Sequence, residues 1–180
     1  MTEHKLSAVP WDRIILTGFR GTGKSAVGRK IADLTGFIFI DTDDTLEEEL
    51  GCTVCNYVRR AGWPAFREQE RQLLVRLAGV RRAVIATGGG AIMHRTEWRE
   101  LRAHSRVIWL RADAETIRQR MAQDCGTVTQ RPSLTGCDPL VEIDSLLAER
   151  EPLYREGSDV HIETDGRRED EVVARIFGLF

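Results

Sequence analysis

Eight consecutive residues, Gly18-Phe19-Arg20-Gly21-Thr22-Gly23-Lys24-Ser25, constrain this chain more than any other feature. They fit the phosphate-loop pattern of a glycine, four free positions, then Gly-Lys-Ser. The preceding run, Arg13-Ile14-Ile15-Leu16-Thr17, reads as a buried strand. Ala26, Val27, Ile31 and Leu34 then repeat at helical spacing. Strand, glycine turn and helix in that order are the context the motif needs. The glycines let backbone N–H groups and the positive helix end converge on an anion. Lys24 adds a charge for β and γ phosphates, and the Ser25 hydroxyl can ligate Mg²⁺. An ordinary glycine-rich turn would not need this lysine or these flanks, so the chain is expected to bind a nucleoside triphosphate.

A length of 180 residues suits one domain over 1–180 that buries its core without disulfides or metal, with 1–11 as a loose polar leader. Lys and Arg number 26 against 28 Asp and Glu, a net charge of −2, which provides no basic face for nucleic acid. No apolar run reaches membrane-spanning length, and the first dozen residues lack a signal peptide's apolar core. A cytoplasmic monomer without nucleic-acid or membrane partners is expected. Cys52 and Cys55 form a C-x-x-C, which can be a redox pair or half a zinc site. The gap between Cys125 and Cys137 is not a zinc-knuckle spacing. Four reduced thiols, with Cys52 and Cys55 packing a helix face, are the expectation.

Short apolar runs at 13–17, 37–40, 83–86, 106–110 and, more weakly, 158–163 read as strands buried on both faces of a parallel sheet. Helical patterns at 26–35, 64–79, 113–122 and 140–150 alternate with them. The alternation predicts a doubly wound α/β fold. Ligands of such sheets collect beyond the carboxyl ends of the strands. Residues 45–66 are helix-forming and read as a small insertion over the sheet edge, part of a helical region spanning 42–79. The polar stretch 123–139 reads as a lid or a disordered loop.

Asp41 ends the second strand, where a carboxylate can hold Mg²⁺ opposite Ser25. Asp43, two residues on, can orient an acceptor hydroxyl and take its proton. Asp44 or Thr42 is expected to cap the following helix, which leaves Asp41 and Asp43 for ligands. Gly88, Gly89 and Gly90 follow the third strand. Three glycines cost conformational entropy and bury no side chain, so they point to backbone passing close to a ligand and donating N–H groups. Arg67, Arg131 and Arg150 occupy distinct settings, but taken singly each reads as a solvated surface arginine, and the residues alone do not choose these three.

In order along the chain, Gly18 to Ser25, Asp41-Thr42-Asp43, Phe66-Arg67 with Glu70, Gly88-Gly89-Gly90-Ala91, Arg131-Pro132 and Glu149-Arg150-Glu151-Pro152-Leu153-Tyr154 together resemble the shikimate kinase family. The resemblance implies a P-loop NTPase fold like the nucleoside monophosphate kinases: a five-stranded parallel sheet of order 2-3-1-4-5 with a helical substrate-binding region and a lid. It implies ATP and Mg²⁺ as cofactors and shikimate as the acceptor. Gly21, Thr22, Gly23, Lys24, Ser25 and Ala26 would hold ATP phosphates, with Ser25 and Asp41 on the metal. Asp43 would serve the acceptor hydroxyl, Arg67 and Arg150 its carboxylate, and Gly88, Gly89 and Gly90 would line its site. Lys24, Asp43 and Arg131 would be the catalytic groups, Arg131 closing over the phosphates. An arginine before the lid would meet adenine; Arg118 and Arg120 compete for that place, with Arg120 slightly preferred.

The chain departs from the family pattern at Trp63-Pro64-Ala65, where Gly-Glu often precedes Phe-Arg, in the longer arm over 121–130, and at Ser133. Two rivals remain at this stage. One is a kinase for another small hydroxy acid such as gluconate. The other is a nucleotide-binding regulatory module, which would need neither Asp43 nor the distant arginines.

Overall fold

The computed structural model describes residues 11–123 and 142–179. Arg131, Cys125, Cys137, the expected leader apart from Trp11 and the lid stretch apart from Gln123 therefore lie outside the described residues. Five strands, β1 (Arg13–Thr17), β2 (Ile38–Asp41), β3 (Ala83–Ala86), β4 (Ser105–Arg111) and β5 (Val160–Glu163), form one parallel sheet of order β2-β3-β1-β4-β5. The order is the one the resemblance implies.

Among the described residues seven helices cover the two faces: α1 (Lys24–Thr35), α2 (Thr42–Leu50), α3 (Val54–Leu77), α4 (Arg95–Arg102), α5 (Ala114–Gln123), α6 (Ile143–Gly157) and α7 (Glu169–Phe177). Side chains alternate along a strand, so β1 divides its apolar residues between two cores. Ile14 and Leu16 pack with Val27 and Ile31 of α1 and Val172 and Ile176 of α7. Ile15 faces the other way, with Leu46 of α2, Phe66 and Leu74 of α3 and Trp98 of α4. Burial on both faces is why the strand reads as a continuous apolar run rather than an alternating one.

Two helical expectations change. The insertion expected over 45–66 is α2 plus the first part of α3, whose backbone breaks at Gly62 (φ 82°, ψ 165°) just ahead of Pro64. Gly62 can take that left-handed conformation without the steric penalty a β-carbon brings. The helix expected to end at residue 150 continues through Pro152 to Gly157. Proline lacks an N–H and crowds the preceding turn, so it reads as a stop. Tertiary anchors outweigh that cost here: Tyr154 is buried, and Trp98 Nε1 donates to the Gly157 carbonyl at 3.0 Å. Among the described residues no helix is long and apolar enough to cross a membrane.

Candidate active site

The carboxyl ends of β1, β2 and β3 bring three loops to one sheet edge. After β1, Gly18 has φ +137°, and a β-carbon on it would lie 2.3 Å from the Leu110 carbonyl oxygen, so only glycine fits. Gly23, at φ +89°, turns the loop into α1. Helix geometry leaves the first-turn amides of α1 without carbonyl partners, and no acidic residue occupies that turn. Positive helix end and open amides make an anion site. Lys24 Nζ donates to the Gly18 and Phe19 carbonyls at 3.0 and 2.8 Å, which holds its ammonium at the loop.

Ser25 Oγ donates to Asp41 Oδ2 at 2.5 Å. Asp41 also caps α2: its Oδ1 accepts the Asp43 N–H at 3.0 Å. The expected capping by Asp44 or Thr42 is thus corrected. Asp41 ends a strand in extended conformation with a carboxylate two residues ahead of an open amide, the usual capping arrangement, and its second oxygen remains on Ser25. Thr42 Oγ1 instead accepts the Gly88 N–H at 2.7 Å.

Two cavities meet at this edge. Gly21, Gly23, Lys24, Ser25, Ala26, Asp41 and Arg120 line the phosphate cavity. The other is lined by Phe19, Trp63, Phe66, Arg67, Gly88, Gly89, Gly90 and Arg150. Asp43 and Arg20 line both. The expected site residues within the described range, apart from Thr22, line these two cavities, and Asp43 stands at the junction. Thr22 is instead buried under the loop, its hydroxyl donating to the Phe19 carbonyl at 2.8 Å.

The triple glycine has a further cause that the sequence did not reveal. A β-carbon on Gly88 would lie 2.6 Å from Asp43 Oδ1, and one on Gly90 would lie 2.1 Å from Arg67 Nη1. Absent side chains there make room for the protein's own acid and base. The Gly88 amide is taken by Thr42, which corrects its expected role as a donor to a ligand. The Gly89 carbonyl accepts the Tyr154 hydroxyl at 2.6 Å and Arg150 Nη1 at 3.3 Å. Burial pushes the Tyr154 phenol up to about 12, so it remains a donor.

Arg67 lies 5.1 Å from the Trp63 ring centroid, a cation–π distance, and donates to Glu70 Oε2 at 2.6 Å. Burial alone would raise the Glu70 carboxyl. The His94 hydrogen bond and the Arg67 charge outweigh it and hold the group below its ordinary value. Arg150 is 5% exposed, and its Nε is buried without a hydrogen-bond partner among the described residues. An exposed arginine would spend its fork on water; this one is kept dry beside a cavity.

Arg120 donates to the Gly21 carbonyl at 3.1 Å and to the Thr164 carbonyl at 2.6 Å, alongside the phosphate cavity. Arg118 turns away to Asp144 and Glu115. Of the two, Arg120 is the one that lines the phosphate cavity. Cys52 and Cys55 are free thiols.

Four residues at the site were missed as functional candidates. Arg20 occupies one of the motif's free positions and pairs with buried Glu142 at 3.0 Å. Glu70 follows Arg67 at helical spacing i+3, and Tyr154 follows Arg150 at i+4; either spacing could have exposed them. His94 reaches Glu70 from 24 residues away, and no local pattern announces that contact.

The shikimate kinase family profile matches residues 20–179. The shikimate kinase of Symbiobacterium thermophilum is 44% identical over 164 residues, covering 91% of this chain and 92% of the relative. That of Moorella thermoacetica is 43% identical over 162 residues, 90% of each. Among solved structures, the shikimate kinase from Acinetobacter baumannii in complex with shikimate superposes with a TM-score of 0.87 at 32% identity, covering 96% of this chain and 94% of that one.

Proposed function

The chain belongs to the shikimate kinase family, and from that premise we propose that it transfers the γ-phosphoryl group of ATP to the 3-hydroxyl of shikimate. One observation carries the reading: the phosphate cavity and the arginine-lined cavity share Asp43. An acid anchored by arginines on the far side would present a hydroxyl at the carboxylate that also borders the phosphates.

The residue roles follow from position. Lys24 and the first-turn amides of α1 bind and polarise the phosphate oxygens. Arg67 and Arg150 grip the acceptor carboxylate and fix its orientation, which supplies the proximity that phosphoryl transfer depends on. Asp43 aligns the hydroxyl oxygen with the terminal phosphorus. As the new O–P bond forms and the bond to ADP breaks, Asp43 receives the hydroxyl proton. Arg120 borders the nucleotide side. Ser25 and Asp41 present a hydroxyl and a carboxylate 2.5 Å apart at the phosphate cavity, an all-oxygen pair that suits Mg²⁺. When bound, Mg²⁺ supplies charge to the β and γ phosphate oxygens. We place the enzyme in the cytoplasm as a monomer.

The test is ADP release measured with shikimate, with gluconate and with no acceptor, alongside mass analysis of the product. Shikimate-dependent ADP and one phosphate ester per turnover are expected. Turnover on gluconate alone would reassign the acceptor, and nucleotide binding without turnover would make the chain a binding module.

A further inference from the structure

Phosphoryl transfer leaves His94 without a task. The short 3-10 turn Ala91–Met93 follows directly on the triple glycine and delivers His94 against α3. Its Nε2 lies 2.9 Å from Glu70 Oε2, the same oxygen that receives Arg67 Nη1 at 2.6 Å. The Glu70 side chain is 2% exposed and that of His94 13%. Glu70 Oε1 lies instead toward Gly88, 3.1 Å from where a β-carbon there would be. One buried carboxylate oxygen is therefore divided between an acceptor-site arginine and a titratable imidazole.

The charged groups around His94 are few and identifiable. Among the described residues its ring pairs with Glu70 of α3, whose oxygen Arg67 shares, while Glu68 of α3 and Glu97 of α4 lie within electrostatic reach and Arg71 pairs with both of these. Arg71 is held by Glu68 at 2.7 Å and by Glu97 at 3.2 Å, so its charge is already matched. Of the two guanidiniums, Arg67 is the one that faces the acceptor cavity.

With a neutral imidazole, Glu70 opposes Arg67 alone, and the pair presents little net charge to an incoming anion. With an imidazolium, the three groups carry a net positive charge, and the shared oxygen is drawn away from Arg67. The guanidinium then has more of its charge for the acceptor. We propose that His94 is a positioning residue that acts through Glu70 to set how strongly Arg67 attracts the acceptor carboxylate, so that acceptor affinity rises when His94 is protonated. The inference rests on the acceptor assignment made above. Histidine side chains ordinarily change charge between about pH 5 and 8, which sets the range over which the effect is to be measured.

The experiment measures shikimate binding calorimetrically without nucleotide, from about pH 5.5 to 8.5, in the wild type and in His94→Gln. Omitting ATP removes phosphate titration, and the acceptor's own carboxylate stays ionised throughout. Glutamine keeps a neutral N–H donor near the Nε2 position. The wild-type Kd is expected to rise about fivefold or more across the range. The glutamine variant should stay flat, near the wild-type value at high pH. Linkage is reciprocal, so shikimate should also shift the His94 imidazole titration, followed by NMR in the wild type, to higher pH. This second readout needs no folded variant. A flat wild-type Kd, equal slopes in both proteins, or an unmoved imidazole titration would each overturn the proposal. Absence of shikimate binding at every pH would overturn the acceptor assignment itself, and the proposal with it.

Discussion

Gly90 and Arg67 share one volume: a β-carbon on Gly90 would sit 2.1 Å from Arg67 Nη1 and 2.6 Å from its central carbon. The glycine backbone, at φ −97°, is in a conformation open to any residue. What glycine supplies at this position is room for the guanidinium.

Gly90→Ala should therefore be chiefly a functional lesion, its stability loss confined to what Arg67 contributes to buried Glu70. The atoms it displaces are the far end of a flexible side chain, which can swing away while the fold stays intact. Displacing that fork should raise the shikimate KM about tenfold or more, the scale of one charge-assisted contact. ATP affinity should stay near wild type, and Tm should fall no further than loss of the Arg67–Glu70 pair accounts for. Steady-state kinetics with thermal unfolding checks both; a large drop in Tm with an unchanged KM would refute the shared-volume account.

Residues local in sequence were read well from sequence, and residues joined across the fold were not. The phosphate loop announces itself because spacing, strand and helix all fall within 13–35, and β1 declares its burial by an unbroken apolar run. Asp43 and Asp41 could be found because the carboxyl end of a strand is where such sheets bind ligands. The course of α6 past Pro152 could not, since its anchors are Gly89, reached by Tyr154, and Trp98, which holds Gly157. Glu70 and His94 have the same character: their chemistry arises from burial together, which neither stretch of sequence encodes alone. Arg67 and Arg150 needed the family resemblance to be chosen at all.

Asp43→Asn should separate the two aspartates. The amide keeps the shape but cannot accept the hydroxyl proton, so kcat should fall by about a hundredfold or more. Asp41 and Ser25 remain intact, so Mg²⁺–ATP affinity should change little. Nucleotide binding by calorimetry and single-turnover kinetics test this. Weakened Mg²⁺–ATP binding with preserved turnover would reverse the roles given to Asp41 and Asp43.

Glu70→Gln should change how stability depends on pH. The folded state holds this carboxyl below its ordinary value of 4.5, so ionised Glu70 favours folding. That contribution is fully present above the ordinary value and is lost as pH falls through the depressed one. At pH 7 the variant should lose about 1.5–3 kcal/mol, the scale of hydrogen bonds to a charged group, or roughly 3–10 °C in Tm for a chain this long. The gap should narrow steadily in acid. A Tm difference that is constant from about pH 7 to pH 3 would mean that the Glu70 charge contributes nothing to folding.

Arg150 and Arg67 should matter for the acid and not for the nucleotide. Arg150→Ala and Arg67→Ala should each weaken shikimate binding by about 1.5–3 kcal/mol, roughly ten- to a hundredfold, while ATP affinity stays near wild type. Lysine should restore little at either position. At Arg150 the guanidinium meets the Gly89 carbonyl within a buried setting, and an ammonium keeps the charge without the planar fork. A neutral amide analogue of the acid separates charge recognition from general packing. It should bind the wild type far more weakly than shikimate does, and in each alanine variant the two ligands should differ much less. Arginine pairing with an anion loses its advantage when the anion is gone, whereas a packing role would penalise both ligands alike in every protein. Equal binding of amide and acid by the wild type would remove the carboxylate clamp, and with it the residue-level reason for an acidic acceptor.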